Sequence, residues 1–347
     1  MMNGTRSIRL TIFALLLFIG VTGVKDYAAA AQAKAESFDE LHEKAKKEGG
    51  KLNLYASLSQ NSIDVILPAF QKRFPGVTVD HFDATGDKLI ARIVAEGRGG
   101  RVLADAFGGG LSYIAQIAEQ KLLQPLSIPE AAAYPATLKN EFWMATDTQY
   151  FVIGWNTGLV KKGEEPKSFE DLANPKWKDA LMGESHDFQL LLGLAKGKYK
   201  NDEKAIDLLK RIALNQVEFH RGHSQLIEFL VAGQRPVCFT CYAHQFPPRM
   251  KKGAPIQLLL VEGVGEIGGS VGVVKGAPHP NTALLWARWV ISEEGQRVYA
   301  QAGETPAHPH VEPVEKVRPS TAYMLGQDDV KEFPKYDKIW KEIFQLR

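Results

Sequence analysis

The sequence predicts an α/β protein of two lobes, each a mainly parallel sheet flanked by helices. Three observations lead there. Strand-like stretches alternate with helical stretches of about 10–15 residues, which is the pattern of βαβ units. The chain has 347 residues, and the about 310 that follow an N-terminal leader exceed the roughly 250–300 at which a single core stops growing. A fully apolar strand at 150–156 leads into a charged, proline-containing loop at 161–166, which marks a crossing between lobes just before it. The expected division is 37–147 with 263–315 in the first lobe and 148–262 with 316–347 in the second.

The leader is expected at 1–33. Arg6 and Arg9 precede an apolar run at 10–24, and a small-residue stretch ends in Ala31-Gln32-Ala33, an A-x-A type of cleavage site. The run is about 14 residues, short of the roughly 20 a helix needs to cross a hydrocarbon core. The alternative is an uncleaved anchor; no Cys follows the run, which argues against lipidation. Nothing after residue 36 reads as a second span, so a globular, monomeric protein outside the cytoplasmic membrane is expected. Hydrophobic residues make up 45% and charged residues 24%, ordinary for a folded domain. Forty-two basic residues against forty acidic ones give a formal charge of +2, so no nucleic-acid partner is implied.

The elements follow in order. Phe38, Leu41 and Ala45 recur at helical spacing and the stretch stops at Gly49-Gly50. Residues 51–56 alternate as a half-buried strand, 63–74 as a helix up to Pro75-Gly76, and 77–82 as a second strand. A helix at 88–96, a strand at 104–107 running into Gly108-Gly109-Gly110, and a helix at 113–119 repeat the theme. Beyond the crossing, helices are expected at 188–194, 202–214 and 224–232, with a strand at 236–242. The Gly-rich segment 266–274 leads back to a strong helix at 282–291, and a proline-interrupted region ends in an amphipathic stretch at 330–344.

Several phrases together carry a family resemblance: LYASLS at 54–59, FQKRFPGV at 70–77, RIVAEG at 92–97, YFVIGWNT at 150–157, LANPKWK at 172–178, APHPNTA at 277–283 and WVISEEGQ at 289–296. In this order and spacing, over roughly residues 37 to 310, the chain resembles the ABC-transporter substrate-binding proteins of the ferric-ion-binding type. The resemblance implies the two-lobed periplasmic-binding-protein fold of type II, hinge closure on a ligand, and delivery to an inner-membrane permease. Its cargo would be Fe(III) or a small organic anion, and no resident cofactor is implied. Open parallel sheets hold ligands at the carboxyl ends of their strands, and closure separates loaded from empty protein.

Candidate contacts lie at those strand ends. Ser57 and Ser59 precede a helix and can bind an anion, or one of Asn61 and Ser62 simply caps that helix. Thr85 follows the second strand in the same way, and Gly109 would let backbone approach a ligand or merely close a tight turn. In the second lobe Ser185 and His186, Arg221 and His223, and Tyr242 and His244 fall at strand ends. Phenolate and imidazole suit a metal, so Tyr242, His223 and His244 are the candidate ligands, while Arg221 could hold an anion. Ferric-binding relatives carry an adjacent tyrosine pair at about this strand end, whereas here the pair reads Cys241-Tyr242. One phenolate binds Fe(III) less well than two, which keeps the organic anion open.

Cys238 and Cys241 form C-x-x-C in an exported chain. At about 3.3 Å per residue a regular strand separates them by about 10 Å on opposite faces, beyond the roughly 7 Å limit for a bridge, so two buried thiols are expected. The sequence contains no H-E-x-x-H or G-x-x-x-x-G-K pattern, which disfavours a hydrolytic enzyme. A ligand sensor on the same fold remains the alternative binding class.

Overall fold

The computed structural model describes Met1 and residues 36–346, so the leader expected at 1–33 lies outside the described residues. The first half runs α1 (Phe38–Lys47), β1 (Lys51–Ala56), α2 (Gln60–Arg73), β2 (Thr78–Phe82), α3 (Gly86–Arg98), β3 (Ala106–Gly108), α4 (Leu111–Glu119) and β4 (Met144–Asn156). Then come β5 (Leu181–Glu184), α5 (Phe188–Gly193), α6 (Asp202–Ala213), β6 (Glu218–His220), α7 (His223–Ala232), β7 (Val237–Tyr242), α8 (Phe246–Lys251) and β8 (Ile256–Leu258). The chain returns through β9 (Glu262–Val273), α9 (Pro280–Ile291), α10 (Glu293–Gln301), β10 (Thr321–Met324) and α11 (Phe333–Phe344).

The strands form one path, β2-β1-β3-β9-β4-β7-β5-β6, with β10 added to β9 and β8 to β4. The outer pairs β1/β2, β1/β3, β5/β6 and β5/β7 are parallel, as alternating βα units require. The centre is antiparallel: the chain crosses once through β4 and comes back through β9, so these two long strands run in opposite directions. Each also carries one flank, β9 pairing with β3 at Gly272 and Val273, and β4 pairing with β7 from Phe151 onward.

Each flank buries its own aromatic core. On one side Phe70 meets Trp286 edge-on at 5.0 Å and Trp289 at 5.3 Å, locking α2 to α9. On the other, Phe219, Phe239, Trp340 and Phe344 cluster, and the Trp340 indole donates to the Ser185 carbonyl at 3.0 Å, so the C-terminal α11 seals the β5–β6–β7 flank. The α1–β1 turn needs its glycine, because Gly50 has φ +61 and a Cβ there would lie 2.2 Å from the Gly76 carbonyl oxygen.

The expected pair of free thiols is overturned: Cys238 and Cys241 are joined in a disulfide, their Cα atoms 5.8 Å apart. The reason is a β-bulge. Val152 pairs with Cys241 and Gly154 with Cys238, so three steps along β7 match two along β4, and the extra residue draws the cysteines together. A bridge that closes so short a loop stabilises by about 2 kcal/mol on the chain-entropy scale. Replacing both cysteines by alanine should therefore lower the urea unfolding free energy by about that amount; an unchanged unfolding free energy would count against the bridge.

Candidate functional site

A cavity of about 190 Å³ opens where β1 and β3 end against the two crossing strands. Ser57, Ser59 and Gly109 line it from the strand ends, Thr146, Asp147 and Gln149 from β4, Gly268 to Ser270 from β9, Glu304 from the segment after α10, and His244 from the far side. No lysine or arginine is among its described lining residues. Ser59 caps α2, accepting from the Ser62 amide at 3.1 Å, and the Ser62 hydroxyl donates to Glu304. The cap is thus Ser59 itself, not Asn61 or Ser62, and Ser57 and Ser59 both line the cavity.

Asp147 is the centre of the arrangement. The register of β4 on β9 slips twice around it: Thr146 is the extra residue on one strand and Gly268 on the other. These offsetting bulges push the carboxylate into space where Cβ atoms on Gly268 and Gly269 would come within 2.4 and 2.1 Å of its oxygens. Among the groups described it receives one side-chain hydrogen bond, from Thr146 at 3.0 Å. Burial, reinforced by the nearby Glu304, pushes its pKa up to about 8.

Behind His244 lies a second buried group at the carboxyl ends of β5, β6 and β7. The His223 and Tyr242 rings stack at 3.7 Å, and His244 lies near-parallel to Tyr242 at 5.7 Å. His223 Nε2 is 3.2 Å from Asp187 Oδ1, and Tyr242 donates to Glu266 at 2.7 Å, which also accepts from Gln149 at 2.7 Å. Glu184, Asp187 and His223 each offer a ligand atom, all within 4.8 Å of one another. Burial alone would lower the His223 pKa, but Asp187 outweighs it and holds it up. Burial, then Glu266, raises the Tyr242 phenol well above its usual value, while burial lowers His244. Asp187 Oδ2 and His223 Nδ1 are buried without a hydrogen-bond partner among the described residues.

Thus Ser57, Ser59, Gly109 and His244 meet around the cavity, and His223 with Tyr242 stands behind it. The other candidates lie outside its lining. Thr85 is exposed at the start of α3, because β2 is the outermost strand and its end is far from the crossing pair. Ser185 is half-buried and bonded to His186, itself exposed. Arg221 is exposed on the turn before α7, and no ion pair is recorded for it among the described residues. Of the acidic members, Glu184 and Asp187 bracket the expected Ser185-His186 strand end, whereas Asp147, Glu266 and Glu304 were not anticipated. Asp147 and Glu266 sit inside strands, where the one available signal was a carboxylate interrupting the otherwise uncharged runs 144–156 and 263–273.

The model for bacterial extracellular solute-binding proteins matches residues 66–324, most of the chain. The chain belongs to that family. It is accordingly a solute-binding protein and not an enzyme. Iron uptake protein A1 of Synechocystis is 25% identical to this solute-binding protein over 276 residues, covering 72% of this chain and 74% of the relative. Iron-bound HitA of Pseudomonas aeruginosa superposes with a TM-score of 0.71 at 18% identity, over 84% of this chain and 99% of HitA. AfuA of Actinobacillus pleuropneumoniae, with fructose-6-phosphate bound, gives 0.67 at 20% identity over 86% and 99%. The shared fold therefore accommodates both a metal and a phosphorylated sugar.

Asp147 holds its proton in the folded empty protein from its ordinary range up to about 8, so its contribution to stability is present at low pH and lost as the pH rises through that window. Asp147→Asn should melt several degrees above the wild type at pH 7 in metal-stripped protein, with the gap closing toward pH 4. Melting curves between pH 4 and 8 measure this, and a gap that does not vary with pH would contradict the assignment.

Proposed function

We propose that this protein captures a hard metal cation of the Fe(III) kind in the cleft between two lobes, in the periplasm, and delivers it to the permease of an ABC importer. The observation that carries the reading is the charge of the cleft. Asp147 and Glu304 line the cavity with His244, no arginine or lysine is among its described lining residues, and Glu184, Asp187 and His223 converge beside Tyr242. Carboxylate, phenolate and hydroxyl oxygens with imidazole are donors for a hard or intermediate cation. Among the described lining residues there is no cationic side chain for an organic anion, and Arg221, the sequence's candidate for holding one, is exposed outside the lining. The iron named for Synechocystis Iron uptake protein A1 and for HitA supports the same class of cargo.

The two acidic sets come from opposite sides of the crossing strands, so closure would bring them together. We place the lobes at 37–147 with 263–315 and at 148–262 with 316–347, the chain passing between them at the Asp147 bulge. A cation that bridges both sets binds the closed form more tightly, and that difference in affinity is what drives closure. Tyr242 would give up its proton to solvent on binding, releasing Glu266, to which its hydroxyl donates at 2.7 Å in the empty protein. The family's extracellular setting, together with the leader expected from the sequence, supports the periplasmic location.

Ferric citrate should raise the melting midpoint of metal-stripped protein by several degrees, since a ligand at 100 times its dissociation constant adds about 2.7 kcal/mol. Tyr242→Phe should diminish that shift while leaving the empty protein's midpoint nearly unchanged. A shift with phosphonates, sulfonates or carboxylates and none with ferric citrate would replace the metal by an organic anion.

A further inference from the structure

We propose a second metal site, on the outside of the cleft segment, in which Glu293, His308 and His310 bind a borderline divalent cation such as Zn²⁺. Each offers one ligand atom, and the three atoms lie within 4.8 Å of one another. Glu293 opens α10, and the two histidines flank Pro309 in a short turn beside it. Two imidazoles and a carboxylate make the donor set of a four-coordinate Zn²⁺ site with one position left for water. Imidazole also discriminates against Mg²⁺ and Ca²⁺, which take oxygen ligands.

The cluster is held in place before any ion arrives. The His308 ring meets Tyr134 edge-on at 5.3 Å and His310 at 5.4 Å. Its backbone amide donates to Gln296 Oε1 at 2.9 Å, and Gln296 is itself fully buried and donates to the carbonyls of Thr146 and Val290. His308 is 5% exposed while Glu293 and His310 face solvent, so the site is backed by protein on one side and open on the other. His308 Nδ1 accepts from the His310 amide at 3.2 Å, so an ion bound at that nitrogen would take the lone pair over from this bond. The opposing charge is Arg297, whose guanidinium bonds one Glu293 oxygen at 2.9 Å; that side chain is 63% exposed and free to swing out as the ion enters.

The site is independent of the proposed cargo site, because none of its three ligands lines the cavity. Calorimetric titration of untagged, metal-stripped protein with ZnCl₂ should give a saturable equivalent. His310→Ala and Glu293→Gln, both at exposed positions, should weaken it by at least about tenfold, and Asp147→Asn should leave it intact. Absence of saturable binding would overturn the site, and so would an equivalent that survives His310→Ala or disappears with Asp147→Asn. The ferric citrate melting shift should be the same in His310→Ala as in the wild type, so failure here and failure of the cargo reading are separable.

Discussion

The antiparallel pairing of β4 with β9 is the constraint on which the rest of the structure depends. From Met144–Val271 to Phe151–Val264 these strands hold each other, and each hands its far side to a different flank. Neither flank is connected to the other through the sheet by anything else on the strand path. The same pairing creates the site, because its two bulges lift Asp147 out of the ladder, and Gly268 and Gly269 leave room for the carboxylate that any side chain would fill.

That geometry sets a conflict between stability and binding. Asp187 and Glu266 are buried and Asp147 is half-buried, burial raises the pKa of each, and with that of Asp147 pushed up to about 8 a cation must displace its proton. Two buried polar atoms in the second group lack partners among the described residues, and leaving such atoms unpaired costs about 1–3 kcal/mol each. Groups kept at such a cost are expected where a ligand completes them.

Much of the fold was legible because its physics is local. The α/β alternation, the first crossing strand and the strong helix at 282–291 follow from periodicity, and β1 and α6 fall within a residue of their expected bounds. The first half of β4 was missed because Thr146, Asp147 and Thr148 break the apolar run. Those residues are polar because they face the cleft and its margins. The short strands β5, β6, β8 and β10 have too few residues for a period to register. The disulfide was misjudged for a related reason: regular strand spacing was assumed, and the bulge that brings Cys238 to Cys241 depends on pairing with β4. His244, Ser57 and Gly109 were reachable from strand-end position alone. Glu304 reaches the cavity from far along the chain, after α10, and no local pattern announces it.

The proton balance of ligand binding tests the acidic-cleft account most directly. It can be read at neutral pH in a pH-stat as ferric citrate is added to metal-stripped protein, with the flux of ferric citrate alone subtracted. The account predicts net proton release, smaller in Asp147→Asn and in Tyr242→Phe. Binding with proton uptake would contradict it, because an anion entering among buried carboxylates must bring protons with it.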